Sequence, residues 1–251
     1  MKNIYKEVVL ITGGLGGIGQ EILKKYINPK FSVIVVDIAK KTIELPENFR
    51  YINANVLNTK DLQKVIDEIS SKEGYINHII SVAGFALDGE LFNDFTKVSL
   101  QTISDSIDLN LKSHIYLIRL ALDLLKNNPS NNKSITLISS VNALSSFSLA
   151  PYSASKSGLY GVIKSMCTEF GRSGIRINTV SPGTVPTPRT LNENKDFDKL
   201  LSTTTLNKFA TTQDIANVIW MLTNQVFSIT GQNIVVDAGQ TTRATEVNKE
   251  N

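Results

Sequence analysis

Residues 8–26, VVLITGGLGGIGQEILKKY, decide the fold class of this 251-residue chain. The segment opens with an apolar run, passes through five glycines and ends in a stretch with helical spacing. A strand that enters a helix through such a turn points backbone N–H groups and the positive end of the helix dipole at one spot, which suits a pyrophosphate. A glycine-rich turn without a ligand is the alternative, but the order strand, loop, helix favours a dinucleotide site.

The glycines of this segment fit two phosphate-loop patterns. Gly14, Gly16 and Gly19 fit G-x-G-x-x-G, whereas Gly13, Gly17 and Gly19 fit a second spacing. Both patterns place glycine where the backbone must turn sharply or approach a phosphate. The spacing alone therefore leaves the register open.

Six further short apolar runs follow along the chain, at residues 33–36, 51–54, 79–82, 135–138, 175–180 and 233–236. Longer stretches with helical spacing lie between them, for example 62–69 and 107–122. Strands that alternate with helices are typical of βαβ units. We therefore predict one α/β domain over residues 1–240, a Rossmann-type doubly wound parallel sheet of about seven strands with helices on both faces.

Residues 184–209 interrupt this alternation. Two prolines break the segment, yet three of its leucines could pack: Leu200, Leu201 and Leu206. A segment of this length inside a compact domain is typically a lid or a binding wall, so we expect a substrate-binding loop here. Residues 241–251 are polar and predict a frayed tail.

The composition narrows the function classes. Hydrophobic content of 41%, charged content of 20% and a net charge of +3 are ordinary for a globular protein with a sizeable core. The apolar runs are far shorter than the roughly 20 residues of a bilayer-spanning helix, and no signal region is evident, so we expect a cytoplasmic protein. One cysteine and two histidines predict no disulfide and no metal site, and scattered lysines give no support for nucleic-acid binding.

A tyrosine and a lysine four residues apart carry the clearest chemical signal. In the run YSASK, Tyr152 and Lys156 share one helix face. A fixed cation favours the phenolate form of a tyrosine and brings its pKa towards a working range. Ser139 and Ser140 stand 13 and 12 positions earlier, after the run 135–138. An ordinary amphipathic helix is the alternative, but together with the glycine loop these residues indicate an oxidoreductase site.

Asp37 indicates which dinucleotide is bound. It ends the second predicted strand, 18 residues after Gly19, close to the spacing of an acid that binds the adenosine ribose hydroxyls. Its carboxylate would repel a 2′-phosphate, which predicts NAD over NADP. Lys40 and Lys41 follow and could soften this repulsion, and the alternative is that Asp37 only caps a turn.

These motifs together resemble the classical short-chain dehydrogenase/reductase family over nearly the whole chain. The family's T-G-x-x-x-G-x-G pattern matches Thr12, Gly13, Gly17 and Gly19, which chooses the second register, and its Y-x-x-x-K pattern matches Tyr152 and Lys156. The resemblance implies the catalytic set Asn110, Ser140, Tyr152 and Lys156, with Ser139 as the alternative serine. It also implies cofactor contacts from Thr12, Gly13, Leu15, Gly17, Ile18, Gly19, Asp37, Asn55, Val56, Ala83, Gly84, Tyr152, Lys156, Pro182, Gly183, Val185 and Thr187.

The chain departs from the family pattern at two positions. Ser81 replaces the asparagine of the family's N-x-A-G motif, whose side chain helps to bind neighbouring strands. Asn55 replaces an aspartate that faces the adenine amino group, and its amide oxygen can still accept that hydrogen bond.

The resemblance implies hydride transfer between a secondary alcohol or ketone and NAD(P), with NAD(H) preferred. In this reading Tyr152 is the general acid/base, Lys156 lowers its pKa, Ser140 binds the substrate oxygen and Asn110 holds a water for proton relay. A largely apolar substrate pocket is expected from Phe85, Leu87, Leu91, Leu144, Phe147, Leu149 and Val185. Asn142 and Arg189 are candidate polar contacts, and Arg189 could receive a carboxylate.

Two other functions stay open at this stage. An NADPH-dependent 3-oxoacyl-thioester reductase is one, although Leu15 stands where such reductases often have a basic residue. A non-catalytic dinucleotide-binding scaffold or sensor is the other, which the complete catalytic set disfavours. The resemblance also implies a homotetramer, or a homodimer, formed through residues 107–125 and the helix that begins near Tyr152.

Overall fold

The computed structural model describes residues 7–41, 43–90, 94–145, 149–192 and 196–242. All seven predicted runs form strands, and each pairs in parallel with its neighbours in one sheet of order β3-β2-β1-β4-β5-β6-β7. The strands are β1 (Glu7–Thr12), β2 (Phe31–Asp37), β3 (Phe49–Asn53), β4 (His78–Ser81), β5 (Lys133–Ile138), β6 (Ile175–Pro182) and β7 (Asn233–Val236). The prediction of a doubly wound parallel sheet is confirmed.

Helices connect the strands. They are α1 (Gly17–Lys25), α2 (Thr59–Lys72), α3 (Leu100–Ile107), α4 (Ser113–Lys126), α5 (Ala150–Arg172), α6 (Pro188–Asn192), α7 (Phe197–Leu201) and α8 (Thr212–Asn224). Short 3₁₀ turns lie at Asp88–Glu90, Phe95–Lys97 and Val141–Ala143. None of the helices in the described ranges is long and apolar enough to cross a membrane.

The core has two halves, one on each face of the sheet. Side chains alternate along a strand, so Val8 and Leu10 of β1 join one half while Val9 and Ile11 join the other. Helices α2, α4 and α5 contribute to the first half, and α1 and α8 to the second. Because both faces are covered, the strands are apolar almost throughout, as the sequence predicts.

The chain order of the sheet reverses at β1, which lies between β2 and β4. Loops that leave β1 and β4 run to opposite faces of the sheet at such a switch point, and a crevice opens outside the carboxyl ends of the strands. The glycine loop follows β1, and residues 82–90 follow β4. The candidate site is therefore expected at this edge.

The predicted helix over residues 107–122 is not continuous. A π-helical segment, Asp108–Lys112, joins α3 to α4, with Asn110 in its middle. The Asn110 side-chain amide donates to the carbonyl oxygen of Ser106 at 3.2 Å, one turn earlier. A side chain that competes for a helix carbonyl favours such a bulge, which periodicity does not reveal.

The segment 184–209 contains α6 and α7. Leu200 and Leu201 are half-buried, but Leu206 is 62% exposed, so the expectation that it packs is wrong. Thr241, which the prediction places in the frayed tail, is tied to the fold, because its N–H and hydroxyl both donate to Asp237 at 2.7 Å. Residues 243–251 lie outside the described part of the chain.

Candidate active site

A cavity of about 800 Å³ lies at the carboxyl ends of the strands. It extends from Asp37 and Asn55, on the β2 and β3 side, to Ser140 and Thr187. Most of the predicted cofactor-binding residues line it: Gly13, Leu15, Gly17, Ile18, Gly19, Asp37, Asn55, Val56, Ala83, Gly84, Pro182, Gly183, Val185 and Thr187. The fold thus brings together residues that are far apart in the sequence.

The glycine loop is wound too tightly for a side chain at Gly19. A Cβ on Gly19 would lie 2.7 Å from the Cα of Gly14 and closer still to the carbonyl oxygen of Gly13. Gly16 precedes α1 and carries no side chain that could cap its N–H groups. The backbone of the loop and the start of α1 therefore face the cavity without a shielding side chain, which suits a phosphate.

Asp37 is fixed beside the glycine loop. Its carboxylate accepts hydrogen bonds from the N–H of Leu15 at 2.9 Å and from the N–H of Ala39 at 3.0 Å. Lys40 and Lys41 are exposed. The acid thus lies directly beside the glycine loop, as the spacing predicts. A turn-capping bond to Ala39 is also present, as the alternative interpretation predicts.

Asn55 is turned towards its own loop. Its side-chain oxygen accepts a hydrogen bond from the N–H of Leu57 at 2.9 Å. A carbonyl oxygen has a second lone pair, so this bond still permits a contact with an adenine amino group. Val56 and Leu57 line the cavity beside it.

Helix α5 places Tyr152 and Lys156 behind the cavity wall, next to Ile138 and Gly84, which line the cavity while the pair itself does not. Lys156 is 1% exposed, and its Nζ donates to the carbonyl oxygen of Ile138 at 2.8 Å. The same Nζ lies 5.7 Å from the centre of the Tyr152 ring. Burial lowers the pKa of the Lys156 ammonium to about 7. The predicted pair is therefore present. The ammonium group lies near the Tyr152 ring and is held there by the carbonyl of Ile138, the last residue of β5.

Asn110 approaches this pair from the π-helical segment. Its amide nitrogen donates to the carbonyl oxygens of Phe85 and Ser106, at 2.9 and 3.2 Å. A Cβ on Gly84 would lie 2.8 Å from the Asn110 Oδ1 and 3.1 Å from the Lys156 Nζ, so only glycine fits there. The buried Oδ1 has no hydrogen-bond partner in the described part of the chain. This oxygen and the lysine thus converge on one point.

The two candidate serines have different surroundings. The Ser139 hydroxyl donates to the carbonyl oxygen of Lys156 at 3.0 Å, which ties β5 to α5. The Ser140 hydroxyl donates to the Asn142 Oδ1 at 3.1 Å and accepts from the Asn142 N–H at 3.2 Å. Both residues line the cavity, but only Ser139 is committed to a helix carbonyl.

Thr12 is predicted to contact the cofactor but does not line the cavity. It is fully buried, and its hydroxyl meets that of Ser81 at 3.3 Å. Ser81 in turn contacts the Nδ1 of His114 at 2.7 Å, and burial lowers the pKa of His114 well below its ordinary value. Thr12, Ser81 and His114 thus link β1, β4 and α4 where the family pattern has an asparagine.

The substrate side of the cavity is only partly as predicted. Phe85, Leu87 and Val185 line it. Leu144 is 43% exposed, and Leu149 is the residue that precedes α5. Leu91 and Phe147 lie outside the described residues.

Arg189 closes over this side of the cavity. Its guanidinium lies 3.8 Å from the centre of the Phe85 ring and donates to the carbonyl oxygen of Ala86 at 3.1 Å. An ion pair with the exposed Asp88 is longer, at 3.9 Å. Thr187 is engaged with Thr190, whose hydroxyl accepts from the Thr187 N–H at 2.8 Å. Arg189 therefore joins α6 to the loop after β4.

Sequence reasoning missed Glu90, which is 1% exposed and accepts a hydrogen bond from the backbone N–H of Tyr152 at 2.9 Å. An acid in the polar run LDGE has the pattern of a surface turn, and no local signal marks it as buried. Thr190, the partner of Thr187, was missed for the same reason.

The residues present fit a nicotinamide dinucleotide. The uncovered glycine loop suits a pyrophosphate, Asp37 suits ribose hydroxyls, and the Tyr152–Lys156 pair lies beside Ile138 and Gly84 of the cavity wall. Among the described residues, no group of three His, Cys, Asp or Glu side chains could hold a metal ion.

Comparisons with known proteins agree with this assignment. A family profile described as enoyl-(acyl carrier protein) reductase matches residues 13–241. The 3-oxoacyl-[acyl-carrier-protein] reductase FabG of Buchnera aphidicola (subsp. Schizaphis graminum) is 32% identical over 250 residues, covering 94% of this chain and 98% of that protein. The 7alpha-hydroxysteroid dehydrogenase of Bacteroides fragilis is 26% identical and covers 99% of both chains.

A solved structure described as "ElxO with NADP Bound" superposes with a TM-score of 0.85 and 26% identity, over 95% of this chain and 100% of that one. The fold, the motifs and these matches extend over almost the whole sequence. The chain therefore belongs to the short-chain dehydrogenase/reductase family of NAD(P)-dependent oxidoreductases.

Proposed function

We propose that this protein interconverts a secondary alcohol and a ketone, with NAD(H) as its preferred cofactor. The observation that carries the proposal is the grouping of Tyr152 and Asn110 around Lys156, beside Gly84, which lines the dinucleotide site. Asp37 beside the glycine loop supports the choice of NAD(H).

Each residue of the proposed catalytic set has a task that its surroundings support. When bound, the nicotinamide ring donates or accepts the hydride. Tyr152 gives its phenolic proton to the carbonyl oxygen during reduction and takes it back during oxidation. Lys156 stabilises the phenolate through its positive charge. Ser140 donates a hydrogen bond to the substrate oxygen, and Asn110 accepts a proton-relay hydrogen bond at its buried Oδ1.

Cofactor preference is tested by titrating the purified protein with NADH and NADPH while following nicotinamide fluorescence. We expect NADH to bind roughly tenfold more tightly, because the Asp37 carboxylate repels a 2′-phosphate. The matched variant Asp37→Asn removes the charge and should narrow this difference. Tighter binding of NADPH by the wild-type protein would contradict the proposal and assign the 2′-phosphate to Lys40 or Lys41.

The reaction is tested with a panel of ketones that contains ethyl acetoacetate, acetophenone and a ketosteroid. Wild-type protein should oxidise NADH with at least one of them, and Tyr152→Phe should lower kcat by roughly 10²- to 10⁴-fold while binding NADH normally. A Tyr152→Phe variant with wild-type kcat would exclude the acid/base role and favour the scaffold or sensor function.

A 3-oxoacyl-thioester reductase that uses NADPH is the second candidate. The relative that is 32% identical is named as a 3-oxoacyl-[acyl-carrier-protein] reductase, which supports this function. Leu15 in the glycine loop and the fixed Asp37 carboxylate oppose the use of NADPH. A high rate with NADPH and a 3-oxoacyl thioester, and none with NADH, would favour it.

The quaternary structure and the location of the protein stay predictions. We propose a homotetramer, and a monomer mass in light scattering would contradict this. The cytoplasmic location rests on the sequence, and a secreted fraction of the native protein would contradict it.

A further inference from the structure

Helix α5 is preceded by an apolar residue that gives it no side-chain cap. Leu149, which precedes it, is in the left-handed region with φ 61° and ψ 55°, and its side chain makes no hydrogen bond to the helix. An apolar residue is a poor N-cap, because the first N–H groups of a helix need acceptors that it does not offer. Pro151 removes one of these N–H groups. The Tyr152 N–H, one residue later, is met from another part of the chain.

Glu90 supplies this acceptor from 62 residues away. Its Oε2 lies 2.9 Å from the Tyr152 nitrogen, and the residue is 1% exposed. A carboxylate at a helix N-terminus is favoured by the helix dipole, and its hydrogen bonds to N–H groups are charge-assisted. A buried acid thus caps the turn that carries the proposed catalytic tyrosine.

The second oxygen of the same carboxylate contacts the backbone of a residue on the substrate side of the cavity. Glu90 Oε1 accepts from the N–H of Leu87 at 3.3 Å, and Leu87 lines the cavity. An ionised carboxylate has two acceptor oxygens and no donor, so it can serve two N–H groups at once. The Leu87 backbone and the Tyr152 backbone are therefore joined through one side chain.

Residues 85–90, here called the bridging loop, also accept hydrogen bonds from two other segments of the site. Asn110 donates to the carbonyl oxygen of Phe85 at 2.9 Å, and Arg189 donates to that of Ala86 at 3.1 Å. The π-helical segment, helix α6 and helix α5 all hold this loop. A shift of the loop would therefore change the position of Tyr152 relative to the substrate.

We propose that Glu90 is a positioning residue for Tyr152. Its carboxylate sets the distance between the tyrosine and the side of the cavity that Leu87 lines. The inference rests on the proposed acid/base function of Tyr152. Proton transfer needs heavy atoms at hydrogen-bond distance, and a displacement of about 1 Å can cost up to 10²-fold in rate. Glu90 acts through the tyrosine backbone and does not touch the reacting atoms.

Three variants separate geometry from charge, using NADH and the ketone with the highest wild-type rate. Glu90→Gln keeps the length and one acceptor oxygen, whereas Glu90→Asp keeps the charge and both oxygens but is one methylene shorter. We expect Glu90→Gln to lose roughly three- to fivefold in kcat, because its amide can accept from only one of the two N–H groups, and Glu90→Asp and Glu90→Ala to lose roughly tenfold or more, all with cofactor KM within about twofold. Wild-type kcat in Glu90→Asp would overturn the proposal.

Asp214→Ala is the matched control, because Asp214 caps α8 together with Thr211 and α8 carries no proposed site residue. It should lower the melting temperature and leave kcat unchanged. An equal loss of kcat in Asp214→Ala and Glu90→Ala would show that the loss comes from lower stability of the fold, and it would overturn the proposal. If Glu90→Ala does not fold, the kcat values of the other two variants decide: the proposal requires a higher kcat in Glu90→Gln than in Glu90→Asp. Wild-type kcat in Tyr152→Phe would instead refute the proposed function itself.

Discussion

At the scale of single residues, burial decides what Lys156 can do. The side chain is enclosed, and its pKa of about 7 means that charged and neutral forms are both populated near neutral pH. The proposed stabilisation of the Tyr152 phenolate needs the charged form. The carbonyl of Ile138 accepts a hydrogen bond from this form, and the nearby Oδ1 of Asn110 favours it electrostatically. The neighbours of the lysine therefore support its proposed role.

The two serines give a sharp residue-scale test. Ser140→Ala should lower kcat roughly 10²-fold or more, because a hydrogen-bond donor to the substrate oxygen is lost, and should also cost about 1 kcal/mol of stability, because its bonds to Asn142 are lost. Ser139→Ala should destabilise the protein by about as much, because its buried bond to the carbonyl of Lys156 is lost, but should leave kcat nearly unchanged. Steady-state kinetics and urea unfolding of both variants check this. The reverse pattern would assign the catalytic role to Ser139.

At the scale of elements, α6 is held at its tip and the segment 184–209 is held near both ends. Gln240 accepts from the N–H of Thr184 at 3.0 Å and donates to the hydroxyl of Thr203 at 3.0 Å. Arg189 then fastens α6 to the bridging loop through Phe85 and Ala86. The lid function of this segment stays a prediction, and Arg189 is the contact through which we expect it to act.

Loss of this guanidinium should speed the release of cofactor. We expect Arg189→Ala to raise the NADH dissociation rate roughly tenfold, since a cation–π contact and a hydrogen bond are each worth about 1 kcal/mol. Stopped-flow displacement of NADH measures the rate. Lys199→Ala, which removes an exposed cation from α7, is the control and should leave it unchanged. Equal rates in Arg189→Ala and wild type would show that α6 does not retain the cofactor.

At the scale of the whole molecule, the buried bases make stability depend on pH. Burial lowers the pKa of both His78 and His114 below the ordinary value of 6.5. The unfolded chain therefore binds more protons than the folded chain as the pH falls below about 6.5, so acid destabilises the fold. Glu7 adds to this, because its hydrogen bond to His78 lowers its pKa and its contribution is lost as the pH falls.

Urea unfolding at pH 7.5 and pH 5.5 should show this loss, by up to about 1.4 kcal/mol per pH unit for each histidine. His114→Gln removes one of the titrating groups and keeps a polar contact for Ser81 within reach. Its free energy of unfolding should depend less steeply on pH, whatever its absolute value. An unchanged slope would mean that His114 does not titrate on unfolding in this range.

The features that could be predicted from the sequence are those that depend on residues close together in the chain. The strands of the sheet are short apolar runs, the glycine loop lies between β1 and α1, and the Tyr152–Lys156 spacing fits one helix face. Each of these is fixed by steric and hydrophobic preferences within a few residues. The position of Asp37 follows as well, because the end of β2 must lie beside the loop after β1 in a parallel sheet.

Tertiary structure alone decided the contacts that position these groups. Glu90 meets Tyr152 across 62 residues, Arg189 meets Ala86 across 103, and Ser81 meets His114 across 33. The π-helical segment around Asn110 likewise depends on which carbonyls the folded chain offers to its amide. Such contacts leave no periodic pattern, because a polar side chain in a turn has the same local sequence whether it lies in solvent or is buried against a distant helix. The sequence by itself therefore determined the fold and the groups proposed to do the chemistry, and only the tertiary structure decided what holds them in place.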